Sequence, residues 1–208
     1  MKCVLLIVSC KKHTHNALKQ KGSWLLHIPH YYHIVGSKKI CGEKKYVFDE
    51  INKIIYVNAG DDYLSLPAKV ISAFLAIKET KQVDYIFKTD DNQMLVQPNF
   101  FKILIQTLSQ HDIRYGGHAL HVKTHHSALY IIHPEFPRDV TLGGCTYCTG
   151  PFYLLHISAV ENLLAKYDLI YDCLVEDHAM GFYLDTPFRN KLLHLNTERI
   201  FKEFNNIY

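Results

Sequence analysis

Near the start of the chain, Cys3-Val4-Leu5-Leu6-Ile7-Val8-Ser9 runs without a charged residue. Apolar side chains at successive positions would face both sides of a strand, so this segment reads as a strand buried on both faces. Such strands lie at the centre of parallel sheets covered by helices, which points to an α/β layered fold. The same run superficially resembles a signal peptide. Its apolar core is short, no small-residue cleavage site follows, and Lys11-Lys12 stands where cleavage would occur. No other run approaches the ~20 apolar residues of a transmembrane helix. The six cysteines form no dense framework. The expectation is a soluble, cytoplasmic protein with reduced thiols and no membrane span.

The remaining pattern alternates between strand and helix. A helix is expected over Thr14–His27, with Ala17, Leu18, Trp24 and Leu25 on its buried side. Short strands are expected at His33–Val35, Ile54–Val57, Tyr85–Phe87, Phe152–Leu155 and Leu192–Leu195. Pro67 opens a helix to about Glu79 and Pro98 another to Leu108, since proline suits the first helical turn. Ser158 and Glu161 have the spacing of a capping box for a helix to Tyr167, and a short helix follows at Glu176–Leu184. Residues 116–144 read as irregular. With 208 residues and no repeat or linker, the chain reads as one domain spanning 1–208. A net charge of +3 from dispersed lysines argues against a nucleic-acid partner.

The chemistry concentrates where the Tyr85 strand ends, in Lys88-Thr89-Asp90-Asp91-Asn92. Ligands of open α/β sheets bind at the carboxyl ends of strands. Adjacent carboxylates there are costly unless a cation neutralises them. Mg²⁺ or Mn²⁺ takes one or two carboxylates and completes its shell with phosphate and water, which suits a diphosphate leaving group. The alternative for this run alone is a solvated turn, because Asp and Asn favour turns.

The sequence from Tyr85 to Asn92 resembles the strand and Lys-Thr-Asp-Asp-Asp motif of the Fringe and β1,3-galactosyltransferase-like glycosyltransferases. Other blocks match in the same order. Asp62-Tyr63-Leu64-Ser65-Leu66-Pro67-Ala68-Lys69 is similar to that family's Asp-x-Tyr-x-Asn-Leu-Thr-x-Lys block. Tyr147-Cys148-Thr149-Gly150-Pro151-Phe152-Tyr153 resembles Tyr-Cys-Ser-Gly-x-Gly-Tyr, and Glu176-Asp177-His178-Ala179-Met180-Gly181 resembles Glu-Asp-Val-x-x-Gly. The Asn16–Trp24 segment resembles the helix that ends in Thr-Trp. The likeness spans roughly Val4 to Leu195, and the chain looks more like the compact soluble forms of bacteria and large DNA viruses, such as the chlorella-virus glycosyltransferases, than like Golgi members.

The resemblance implies a GT-A-like fold with a mainly parallel central sheet flanked by helices. It implies a nucleotide-binding half at about 1–115 and an acceptor half at about 116–208. The implied reaction is inverting transfer of a sugar from a UDP-sugar (a hexose such as glucose or galactose, or rhamnose) to a glycan hydroxyl, with Mn²⁺ or Mg²⁺. The general base then falls on Asp177, with Glu176 as its backup. Ser9, Cys10 and Lys11 fall near uracil and phosphates, and Asp61 or Asp62 near base or ribose, or simply in the turn. Lys88 steadies either the carboxylates or a phosphate, and Gly150 lets the backbone approach the sugar. Asn92 replaces the family's third acidic residue, the usual metal ligand. Asn92 can still offer the ion a carbonyl oxygen, so either Asn92 or Asp91 is the direct metal ligand, with Asp91 favoured as the metal-proximal group. Asp90 is a ribose or indirect metal partner, and His194 is either a metal ligand from the late strand or a hydrogen-bonded core residue. Tyr147 and Phe152 are candidate sugar-stacking rings.

Three other readings use the same residues. Cys145-x-x-Cys148 near His118, His121, His125 and His126 suggests zinc but lacks a second cysteine pair. A metal-dependent phosphoryl or nucleotidyl transferase would also use paired aspartates, although no P-loop occurs. A non-catalytic sugar-binding module would keep the aromatic residues without nucleotide binding.

Overall fold

The computed structural model describes residues 1–28 and 30–204. Eight strands form the main sheet: β1 (Cys3–Val8), β2 (Tyr31–Gly36), β3 (Tyr46–Asp49), β4 (Ile54–Val57), β5 (Tyr85–Asp90), β6 (Tyr115–Val122), β7 (Cys145–His156) and β8 (Leu192–His194). Their spatial order is β8-β6-β7-β5-β1-β2-β4-β3. The β5-β1-β2-β4 centre is parallel, as is β6 with β8, while β7 runs antiparallel to both neighbours and β3 to β4. The principal helices are α1 (Thr14–Lys21), α2 (Leu66–Thr80), α3 (Phe100–Gln110), α4 (Ile157–Leu164) and α5 (Glu176–Tyr183).

The uninterrupted apolar run of β1 is used on both sides. Val4, Leu6 and Val8 pack in one layer with Val70, Ile71, Phe74 and Ile77 of α2 and with Val160 and Leu163 of α4. Leu5 and Ile7 pack in the other with Phe100, Phe101 and Leu104 of α3, Trp24 and Phe152. Each such side chain contributes roughly 1.5–3 kcal/mol on full burial. The parallel register sets Val8 beside both Ile34 and Asp90, so β1, β2 and β5 end on the same edge of the sheet. On the far side of β5, the pairing of β7 with β6 shifts between Cys148 and Tyr153. The resulting bulge carries Gly150 and Pro151 over the end of β5, where Thr89 Oγ1 donates to the Pro151 carbonyl (2.7 Å).

Several expected elements differ. The helix expected over Thr14–His27 ends at Gly22, and Trp24–His27 forms a separate tight turn. Its inward residue is Gln20, whereas Leu18 is exposed. The expected capping box is not used: His156 accepts from Ser158 N, and Glu161 pairs with Lys78. The segment read as irregular contains β6, and β3 lies where no strand was expected. Phe152 is fully buried among Phe87, Phe100 and Phe201, so it has no face to offer a sugar.

Helix α5 reaches β7 at Gly181. A Cβ there would lie 2.3 Å from the Cβ and 2.6 Å from the Cα of Tyr147. Gly181→Ala therefore forces the helix off the strand, an overpacking cost of about 1–3 kcal/mol. The expected outcome is a melting temperature lower by roughly 2–12 °C, with about 2–4 °C per kcal/mol in a chain of this size. An unchanged melting temperature would contradict the close contact.

Candidate active site

The carboxyl edge of the sheet opens into a cavity of about 560 Å³. Ser9 and Cys10 follow β1, Asp61 and Asp62 follow β4, and Asp90, Asp91 and Asn92 close β5; all line the cavity, as do Lys88, Gly150, Glu176 and Asp177. A larger cavity, about 880 Å³, opens at the opposite edge, with Leu5, Phe101 and Ile105 in its walls and no carboxylate among its described residues.

Lys88 lies beneath the first cavity and is buried. Its Nζ donates to Asp90 Oδ1 (2.7 Å), to the Gly150 carbonyl (2.8 Å) and to Glu176 Oε2 (3.1 Å). An ammonium has three donors, and these contacts occupy all of them. Lys88 therefore steadies the carboxylates and has no donor left for a phosphate. Burial disfavours its charge, but the Asp90 and Glu176 carboxylates outweigh burial and raise its pKa. Glu176 is buried too, and its other oxygen accepts from Tyr153 Oη. Both of its oxygens are thus tied to the protein.

A second buried lysine, Lys69 of α2, organises the other side. Its Nζ donates to the Ser9 carbonyl (2.5 Å) and to Asp61 Oδ1 (3.2 Å). Asp61 also accepts from Gly36 N at Oδ1 (3.0 Å) and from Lys11 N at Oδ2 (2.8 Å). Asp61 thus ties together the ends of β1 and β2 and the start of α2, a structural use of the carboxylate expected near base or ribose. Asp62 is exposed; its Oδ1 accepts from the backbone and hydroxyl of Ser65 (both 2.9 Å). In the sequence Lys69 appears only as the last residue of a matched block; its charge is what the loops use.

The acidic turn is held from the β1 side. Ser9 Oγ donates to Asp91 Oδ2 (2.7 Å), and His13 Nδ1 stands 3.6 Å from the same oxygen. Burial raises the pKa of the Asp91 carboxyl, while Ser9, His13 and Asn16 favour its anion. Beneath the turn, the buried Gln20 donates from Nε2 to the carbonyls of Asp90 (3.1 Å) and Gln93 (2.9 Å). With both amide hydrogens so used, Gln20 Oε1 must accept from His33 Nε2 (3.1 Å). His33 is neutral, its pKa lowered to about 3 by burial and the Lys21 charge. Neither Gln20 nor His13 was singled out from the sequence. The only signal for Gln20 was a polar residue on an otherwise inward helical face.

Asp91, Asn92 and the partly exposed Asp90 offer carboxylate and amide oxygens, a donor set that suits a hard divalent cation sharing phosphate and water ligands. Among the described residues, no three His, Cys, Asp or Glu side chains converge as a ready metal cage. His194 is exposed on β8 beside His118, with ring centroids 5.5 Å apart, and does not line the cavity. Lys11 is likewise absent from the wall: its Nζ reaches Ser37 Oγ (3.3 Å), although its backbone N anchors Asp61. Cys145 and Cys148 sit three apart on β7, so successive alternation directs them to opposite faces and prevents a shared zinc.

Asp177 opens α5 and is partly exposed in the cavity. Its Oδ2 accepts from Gly150 N (3.0 Å) and its Oδ1 from His178 N (2.8 Å). Burial raises its pKa; the Lys88 charge and these two N–H groups oppose that rise. A Cβ on Gly150 would lie 3.6 Å from Asp90 Oδ2 and 3.7 Å from Asp177 Oδ2, so the glycine keeps the space between the carboxylates open. Tyr147 packs against His178, with ring centroids 5.6 Å apart.

A family model described as Galactosyltransferase matches residues 19–187. No curated protein matches the chain in sequence. A solved glycosyltransferase involved in the glycosylation of the major capsid of PBCV-1 is similar in fold, with TM-score 0.53 and 13% identity over 94% of this chain and 82% of that one. A 2-C-methyl-D-erythritol 4-phosphate cytidylyltransferase of Francisella tularensis is more distant, with TM-score 0.46 and 12% identity over 93% and 90%.

Removing Lys88 tests the charge balance of the site. Lys88→Met leaves Glu176 buried without its cation, a change that costs about 3–5 kcal/mol for a broken buried pair. Adding Glu176→Gln removes the orphaned charge and should recover part of that loss. Chemical denaturation of both variants measures it, and a single variant as stable as wild type would refute the arrangement.

Proposed function

The chain belongs to the galactosyltransferase family, and we propose that it transfers a sugar from a UDP-sugar to a hydroxyl of a glycan. The sugar is a hexose such as glucose or galactose, or rhamnose, and the transfer inverts the anomeric carbon. The family and the GT-A-like α/β fold support glycosyl transfer. One observation carries the mechanism: Asp177 and the Asp90–Asn92 turn line one cavity, with Gly150 leaving the space between Asp177 and Asp90 open.

Asp177 is the proposed general base. Its two backbone N–H partners fix the carboxylate plane, and each oxygen keeps a lone pair for an incoming hydroxyl. Burial strengthens its hold on a proton, while Lys88 and the N–H donors keep the anion accessible. The acceptor hydroxyl gives its proton to Asp177 as its oxygen bonds to the anomeric carbon. The bond from that carbon to the diphosphate oxygen breaks, and its electron pair leaves with the diphosphate. Glu176, held by Tyr153 and Lys88, supports this arrangement from below. Asp91 and Asn92 are the groups that would hold Mn²⁺ or Mg²⁺, with Asp90 beside them. Such a cation supplies electrostatic stabilisation of the leaving diphosphate.

Asp177→Asn is expected to lower kcat by about 10²- to 10⁴-fold and leave UDP affinity within about threefold, because the diphosphate end of the cavity is unchanged. In the wild type, kcat falls as pH drops through the folded pKa of Asp177. Because that pKa is raised, the acid limb lies above the ordinary aspartate value of about 3.9. Undiminished turnover in the variant would remove the base.

Thermal unfolding tests the donor reading without requiring turnover. A nucleotide at a hundred times its dissociation constant adds about 2.7 kcal/mol, or roughly 5–11 °C for this chain length. A UDP shift that requires Mn²⁺ and disappears in Asp91→Ala supports the donor site. No shift with UDP, GDP or UDP-sugars, with or without the ion, would overturn the glycosyltransferase reading.

A further inference from the structure

Tyr153 does not line the cavity, yet its hydroxyl begins a continuous chain of contacts that ends on Asp177. The side chain is fully buried on β7, where its ring packs edge-on to Tyr115 at a centroid separation of 6.4 Å. The hydroxyl donates to Glu176 Oε1, and the other Glu176 oxygen meets Lys88 Nζ at 3.1 Å. Lys88 in turn donates to the Gly150 carbonyl at 2.8 Å, and Gly150 N donates to Asp177 Oδ2 at 3.0 Å. We infer that Tyr153 is a positioning residue: through Glu176 and Lys88 it fixes the Gly150 bulge, and the bulge fixes the carboxylate of Asp177. The inference rests on Asp177 being the base.

The bulge needs such support because the β6–β7 pairing is interrupted across it, between Cys148 and Tyr153. At its first end, Cys148 N donates to Tyr115 Oη (2.8 Å). At its middle, the carbonyl of Gly150 is held by Lys88. The Tyr153 ring lies under that lysine, with Nζ 5.5 Å from the ring centroid. Without the Tyr153 hydroxyl, Glu176 Oε1 has no other hydrogen-bond partner among the described residues, and it can draw Lys88 away from Gly150. Buried carboxylates left without a donor are costly, so a rearrangement toward Lys88, the cation paired with Glu176 among the described residues, is the expected response.

Tyr153→Phe removes this one hydroxyl and keeps the ring. The expected result is a kcat reduced at least tenfold, with the KM for the sugar-nucleotide donor changed less than threefold. NMR amide exchange at Gly150 should be at least tenfold faster than in wild type. The double variant Tyr153→Phe/Glu176→Gln should lose no more kcat than the larger of the two single losses, because both act on the same chain of contacts. Leu155→Val, in the same core layer but outside this chain, controls for general destabilisation and should leave kcat within twofold at temperatures where it is folded.

Wild-type kcat and unchanged Gly150 exchange in Tyr153→Phe would overturn the inference. So would a rate loss matched by Leu155→Val, or fully additive losses in the double variant. If wild type transfers sugar from no nucleotide donor, the functional reading fails by itself. Gly150 exchange still decides the role of Tyr153, with unchanged protection overturning it.

Discussion

The buried ammonium of Lys88 is the interaction on which the site depends. Bringing Asp90, Glu176 and Asp177 to one sheet edge concentrates negative charge where water cannot fully screen it. Lys88 meets two of these carboxylates directly and spends its remaining hydrogen on a backbone carbonyl. An ammonium buried without such partners would cost several kcal/mol. The dependence is mutual: the carboxylates keep the lysine charged, and the lysine lets them stay close. The same contact ties β5 to the β7 bulge and to the first turn of α5.

The sheet makes this convergence possible. β5 is parallel to β1 and antiparallel to β7, so Lys88 lies opposite Leu6 on one side and Tyr153 on the other. The charged residue therefore sits in the middle of the sheet, flanked by apolar or aromatic neighbours. Only the bulge brings an acceptor carbonyl to it. On the β1 side, Lys69 performs a related task for Asp61 and the Ser9 carbonyl. One lysine organises loop ends and the other organises the carboxylates of the cavity wall.

The sequence reading was strongest where one local rule dominated. The apolar run of β1, the proline-started α2 and the acidic turn after β5 emerged at nearly their structural positions because burial, proline geometry and strand-end chemistry each act locally. β6 was missed because Gly116, Gly117, His118 and His121 break the alternation expected of a strand; Leu120 and His121 are exposed, and its pairing is supplied by β7 and β8. Gln20 was missed for the opposite reason. Its neighbours suggested an apolar helix face, but the contact that buries it is a turn seventy residues later. The roles of Lys88 and Asp61 were similarly tertiary: one lies in a recognisable block and the other just before one, but only their partners reveal whether they face a ligand or the protein. His194 illustrates the limit of placing a side chain from strand alternation alone, because β8 is an edge strand and the ring is exposed beside His118.

Charge also connects the site to the proposed reaction. Lys88 is a single positive charge among Asp90, Glu176 and Asp177, with Asp91 paired to a hydroxyl and a half-exposed imidazole. Burial raises the pKa of Asp91, Glu176 and Asp177, so the surroundings resist complete ionisation. An anionic diphosphate entering such a cavity would meet repulsion from the same groups that a base and a cation site require. A divalent ion, if held by Asp91 and Asn92 as proposed, would change that balance by offsetting the negative charge of the carboxylates and the diphosphate. Asn92 offers this wall an oxygen donor without adding a negative charge to it.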